Sequence, residues 1–363
     1  MFFLSYKPYF VNFIIQNIKN IIIKLFDMTH EFYSIVQQAY LWQSKRKQTV
    51  LATVVHLEGS SYRRPGVRMI INEVGEFFGA VSGGCVEKEV LFQSQSVFKD
   101  HRPKMMTYDG TLRLGCEGVI YILIEPFIIS DQLYNVINNA ISDREKLCIE
   151  SRYHKEYGTT QGLGSCISIN NQQFHLQDSN EVNDHLNLFK QELPPVFQLL
   201  IIGAEHDAVQ LCKAASALGW KVSIMASADE QKSIDYFPGA TKLLTPLMDQ
   251  IDTSFIDDQT AVLLMTHSYN KDVRYLSALR GVFPAYFGLL GPKHRRERLV
   301  EQLFEYHPEI DFEFIDQLRG PAGINIGAES AQEISVSIIA EILSVIRNQT
   351  PVLLKDKPGN IHA

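Results

Sequence analysis

Residues 197–225 read F-Q-L-L-I-I-G-A-E-H-D-A-V-Q-L-C-K-A-A-S-A-L-G-W-K-V-S-I-M. The apolar run 197–203 has the length and composition of a strand buried on both faces, as in parallel sheets. Residues 207–218 follow with helical spacing and stop at Gly219, and 221–225 read as a second strand, which completes a βαβ unit. Downstream, 261–265 and 285–290 read as further strands separated by a helix over 272–280. A last helix, 331–347, starts with Ser330-Ala331-Gln332-Glu333, where serine and glutamate have capping-box spacing. Alternating strands and helices predict a Rossmann-like doubly wound parallel sheet for the C-terminal half.

The turn after the first strand, Gly203-Ala204-Glu205-His206-Asp207-Ala208, departs from a dinucleotide-binding turn. Glu205 stands where the second glycine lets a pyrophosphate approach the backbone, and adds bulk and negative charge there. Ala226 stands where a ribose-binding acid is expected, with Asp229 three residues later. These residues argue against a standard nicotinamide site. His206 beside the altered turn, and His267 after the strand 261–265, are candidate ligand contacts or, equally, loop-packing residues. Gly291-Pro292 ends a strand and opens a helix bearing Lys293, His294, Arg295, Arg296 and Arg298, so Gly291 and Arg295 mark either an anion site or a solvated basic face.

The N-terminal half carries the denser site. Residues 58–69 read E-G-S-S-Y-R-R-P-G-V-R-M and residues 79–87 read G-A-V-S-G-G-C-V-E. Ser60 and Ser61 offer hydroxyls, while Arg63, Arg64 and Arg68 offer forked donors for phosphate or carboxylate. Gly83 and Gly84 permit close backbone approach, and Cys85 follows them at a predicted helix start, where dipole and arginines favour a thiolate. Cys116, in Gly115-Cys116-Glu117-Gly118, occupies a second glycine-rich strand end. Around these motifs the pattern predicts a helix from Thr29 and strands before, between and after them, an α+β domain. Over 131–192 it predicts a helix to Ile141, strands at 148–152 and 166–176 that extend the same sheet, and a polar, acidic helix. Pro194-Pro195 closes the domain.

These pieces resemble the XdhC/CoxI family, accessory proteins of xanthine dehydrogenase and related molybdenum hydroxylases. The matching motifs are Gly59-Ser60-Ser61, Arg63-Arg64-Pro65-Gly66, Val81 to Glu87, and Leu114 to Gly118. In the C-terminal half they are Thr266-His267, Gly288-Leu289-Leu290-Gly291 and Gly323 to Ala328, all in family order. The resemblance implies a chaperone that binds molybdenum cofactor, as molybdopterin or its cytosine dinucleotide, and supports its sulfuration. It then inserts the cofactor into a xanthine dehydrogenase-type molybdenum hydroxylase. Implied partners are that hydroxylase, a cysteine desulfurase and a second copy of the chain. Cys85 becomes a sulfur carrier or a soft ligand to molybdenum, and the other candidates become cofactor contacts. An NAD(P)-dependent oxidoreductase and a non-catalytic adaptor docking to the hydroxylase are the competing readings.

Composition fits a two-domain protein of 363 residues, with 45% hydrophobic and 21% charged content and a net charge of −7, which gives no footprint for nucleic acid. Five scattered cysteines form no C-x-x-C pair, so neither a disulfide framework nor a zinc site is expected, and a reducing cytoplasmic setting follows. Residues 1–27 are rich in Phe, Ile and Asn, but Lys7, Lys19, Lys24 and Asp27 interrupt the apolar stretches short of the ~20 residues of a membrane helix. The expected organisation is an upstream extension (1–27) that is non-native or dispensable to the fold, with an interfacial amphipathic anchor as the alternative, an N-terminal domain (28–193), a Rossmann-like domain (194–350) and a tail (351–363).

Overall fold

The computed structural model describes residues 28–59, 64–110, 118–177 and 185–358, with the backbone alone for Cys85. The expectation for residues 1–27 therefore lies outside the described residues. The chain divides into two compact units, Leu25–Pro195 and the chain from Val196 onward.

In the first unit, α1 (Met28–Ser44) buries Phe32, Ile35, Val36, Ala39 and Trp42, the stripe that helical spacing demands. Next come β1 (Thr49–Gly59), β2 (Arg68–Asn72), β3 (Phe77–Gly79), α2 (Cys85–Asp100), β4 (Lys104–Asp109) and β5 (Gly118–Pro126). The five strands form an antiparallel sheet in the order β3-β2-β1-β5-β4. Strand alternation decides what each face carries. Val50, Ala52, Val54, Met69, Ile71, Ile122 and Ile124 share a core with Val86, Val90 and Val97 of α2. Each buried Val or Ile there contributes about 2 kcal/mol. Arg68, adjacent to Met69 in the strand, falls on the opposite face.

The rest of this unit corrects the sequence reading twice. After α3 (Asp131–Ser142), the strands β6 (Leu147–Tyr153), β7 (Gly164–Ile169), β8 (Gln172–His175) and β9 (Asn187–Leu193) make their own antiparallel sheet, ordered β8-β7-β6-β9. They do not extend the first one, to which an isolated bridge, Met105 with Gly158, connects them. The strand β9 lies where an acidic helix was expected. Its buried Gln191 and Leu193 alternate with exposed Lys190 and Glu192, a period of two that pairs along all of β6. The Asn170-Asn171 turn is as expected, with φ of 48° and 64°, the left-handed geometry of a tight hairpin.

The second unit contains β10 (Gln198–Ile202), α4 (His206–Ala217), β11 (Lys221–Met225), β12 (Ala240–Leu244), β13 (Thr260–Leu264), α5 (Tyr269–Ala278), β14 (Tyr286–Leu289), α6 (Lys293–Tyr306), α7 (Phe312–Gln317), β15 (Leu318–Arg319) and α8 (Ala331–Ile346). Its strands are parallel and ordered β12-β11-β10-β13-β14-β15, the doubly wound arrangement, with strand order reversing between β10 and β13. β12 and β15 were not legible in sequence, since the first is half-exposed and the second only two residues long. The capping box forms: Ser330 Oγ accepts from Glu333 N at 3.3 Å, and Glu333 accepts from Ser330 N at 2.9 Å. Among the described residues no helix is long and apolar enough to cross a membrane.

Candidate functional site

Helix α2 begins at Cys85 with Gly84 as its N-cap at φ 121°, a conformation that favours glycine. A Cβ at Gly83 or Gly84 would meet nothing within 4 Å, so both glycines face open space. Gly83 thus has no packing reason to be glycine, and the turn is accessible to a ligand. Ser82 Oγ accepts from Gly84 N at 3.2 Å and Val86 N at 3.3 Å. Glu87, buried in the first turn of the helix, accepts from Val81 N at 3.1 Å, Ser82 N at 2.6 Å and Ser82 Oγ at 2.6 Å. Burial pushes the Glu87 carboxyl up, but the donations from Ser82 and the backbone outweigh it and hold the group below the usual carboxylate range. Glu87 was missed in sequence, and its charge offsets part of the positive helix end beside Cys85. Among the cysteines with described side chains, burial pushes the thiols of Cys148 and Cys166 up and that of Cys212 up to about 11.

Arg64 lies half-buried at the end of its loop. Ser60, Ser61, Arg63 and Cys116 lie outside the described residues. The expectation for Arg68 is corrected. Its side chain is buried on the sheet face opposite α2, with the guanidinium 5.4 Å over the Phe32 ring. Nη1 donates to Gly66 O at 2.8 Å and to Gln191 Oε1 at 2.6 Å. Strand parity hides this, because one residue decides which face a side chain takes.

In the second unit the switch point is filled by the chain's own charges. Gly203 has φ 134°, and a Cβ there would run into the Met265 carbonyl, so this glycine serves strand packing. Lys232 Nζ donates to Ala204 O and stands 3.5 Å from Glu205 and 3.8 Å from Glu230. His206 is the first residue of α4, and Asp207 stands 3.4 Å from His267 Nε2. His267 itself is left-handed, at φ 56°. The structure therefore joins His267 to Asp207 at the turn that begins α4, and Lys232 pairs with Glu205 at the altered glycine position.

Arg295 does not face a free ligand position. Its Nε and Nη2 donate to Asp272 Oδ2 at 3.1 and 2.5 Å, Thr266 Oγ1 donates to Asp272 Oδ1 at 2.5 Å, and Asp272 is 2% exposed. Arg296 donates to Leu318 O and Ile315 O. The basic run after Gly291 is thus partly structural, the anion-site expectation being corrected for Arg295. A Cβ on Gly291 would meet Arg295 Cδ at 2.7 Å, which explains that glycine. Lys232 and Asp272 carried no sequence signal, as both lie outside any motif.

The family model for the XdhC Rossmann domain matches residues 199–342, and that of the XdhC and CoxI family matches residues 42–109. The chain belongs to the XdhC/CoxI family. It is 28% identical over 316 residues to a probable xanthine dehydrogenase subunit of Bacillus subtilis, covering 82% of this chain and 93% of that one. It is 27% identical over 308 residues to the molybdenum cofactor insertion chaperone PaoD of Escherichia coli, covering 84% and 85%. A crystal structure described as a xanthine dehydrogenase from Bacillus halodurans superposes with a TM-score of 0.72 at 25% identity, covering 89% of this XdhC/CoxI chain and 98% of the other.

Proposed function

We propose that this chain is a maturation factor that binds molybdenum cofactor, supports its sulfuration and inserts it into a xanthine dehydrogenase-type molybdenum hydroxylase. The observation that carries the reading is likeness along most of both chains to a named cofactor-insertion chaperone. The local chemistry is compatible. In this reading the metal comes as cargo on its pterin. The open Gly83-Gly84 turn admits an anionic group to the start of α2, with Arg63 and Arg64 as cationic contacts and Cys85 as sulfur carrier or soft ligand. His206, His267 and the turn at Gly291 line the strand ends of the second unit as further contacts. A cysteine desulfurase is the proposed sulfur source, and a homodimer the proposed working form, in the cytoplasm.

The Lys232–Glu205 pair at the dinucleotide turn supports this reading over a nicotinamide enzyme. The test is to express the chain in a cell competent for molybdenum cofactor synthesis and assay the purified protein for bound, oxidisable pterin. Wild type should carry pterin and activate the apo-hydroxylase, and Cys85→Ala and Cys85→Ser should keep the fold but fail to activate. Pterin-free wild type, or micromolar binding of NAD by calorimetry, would reject the proposal.

A further inference from the structure

Two buried charges face each other across the first sheet without touching. Thr53 of β1 pairs with Arg68 of β2 on one side and with Leu123 of β5 on the other, so Glu125 lies on Arg68's face, two strands across with β1 between, and two residues along. Their Cα atoms are about 12 Å apart by sheet geometry, a gap that the two side chains can close together. Both are buried, and no ion pair joins them. Glu125 instead accepts from Ser165 N at 2.9 Å and Ser165 Oγ at 2.6 Å, and Ser165 Oγ lies 2.7 Å from Ser151 Oγ. Arg68 Nε and Nη2, the side-on fork that fits a carboxylate, have no hydrogen-bond partner among the described residues, nor has Thr53 Oγ1 between the two strands. Leaving that edge of a buried guanidinium without an acceptor is costly.

We propose that Glu125 and Arg68 form a proton-controlled contact between the two sheets of the first unit: protonated, Glu125 stays on Ser165, and ionised, it turns to the free fork of Arg68. The proton leaves to solvent and no other group is changed. The elements around the pair present Phe32 from α1, Thr53 from β1, Ser151 from β6, Ser165 from β7, Gln177, and Gln191 from β9. None of these titrates, so Arg68 is the charge that Glu125 meets. Burial pushes the Glu125 carboxyl up to about 7 against the pull of Ser165 and Arg68, which puts the switch near neutral pH.

The contact is wired to the arginine-bearing loop. Arg68 Nη1 holds Gly66 O, Gly66 N donates to Val54 O at 2.8 Å, and a Cβ on Gly66 would collide with the Gln191 side chain. A guanidinium that shifts toward Glu125 pulls on Gly66, two residues from Arg64. The regulatory meaning rests on the proposed function, through the role given to that loop, but the measurement needs no cofactor. The full chain is titrated by NMR from about pH 5 to about pH 9, following the Glu125 carboxyl carbon and the Gly66 amide. The expected result is one shared midpoint near neutrality, with the Gly66 shift absent in Glu125→Gln. A Glu125 carboxyl ionised throughout, or a Gly66 shift that survives in Glu125→Gln, overturns the proposal. Failure of cofactor binding with this titration intact would instead strike only the proposed function.

Discussion

Asp272 in the second unit and Glu125 in the first are both buried carboxylates, but only Asp272 has its counter-charge in contact, with Arg295 Nη2 at 2.5 Å. Glu125 is held by serine donors, its nearest cation stands off, and burial pushes its carboxyl up to about 7. The difference teaches where charge serves rigidity and where it can respond to protons. A buried pair in contact fixes the loop Thr266-His267 to the helix after Gly291. A buried pair held apart leaves one partner near its titration point at physiological pH.

The largest expected effect comes from breaking the closed pair. Asp272→Ala strands Arg295 and Thr266, and should destabilise the second unit by about 3 kcal/mol, read by chemical denaturation. A loss much below about 1 kcal/mol would mean that solvent already carries the Arg295 charge.

Glu125→Gln should act with the opposite sign. The folded carboxyl titrates above its ordinary 4.5, near 7. Wild-type stability therefore falls as pH rises from the unfolded value to the folded one, and the penalty is complete above about pH 7. The neutral variant lacks that loss, so it should be more stable than wild type by about 3 kcal/mol at pH 8 and nearly equal to it at pH 4. Thermal melts at the two pH values check the sign, and a variant less stable at pH 8 would refute the account.

Ser330→Ala removes a helix cap with no buried charge, and about 1 kcal/mol should be lost without pH dependence between pH 5 and pH 8. Denaturation curves at both ends of that range separate this constant loss from the pH-dependent one at Glu125. The smallest effect belongs to Lys232→Met. Its pairs with Glu205 and Glu230 are partly solvated, and stability should change by no more than about 0.5 kcal/mol. Calorimetry should still find no NAD binding, because Glu205 remains in the turn.

The second unit's sheet was legible because buried parallel strands are continuous apolar runs and its helices carry local stop and cap signals at Gly219 and Ser330. The start of α2 at Cys85 was legible for the same local reason, two glycines before an amphipathic run. The separate sheet of β6 to β9 was not, because pairing between 147–153 and 187–193 spans more than thirty residues and leaves no mark on either segment alone. Nor was the fate of the arginines legible. Arg68 has the composition of a ligand contact, yet strand parity turns it into the interior, and Arg295 has the same chemistry but closes on Asp272 from another helix. The sequence by itself determined the elements, the family motifs and the Rossmann-like half, since helical and strand periods, caps and apolar runs are local. Only the tertiary structure decided which charges are buried against partners within the protein, because that depends on strand register and on partners distant in the chain.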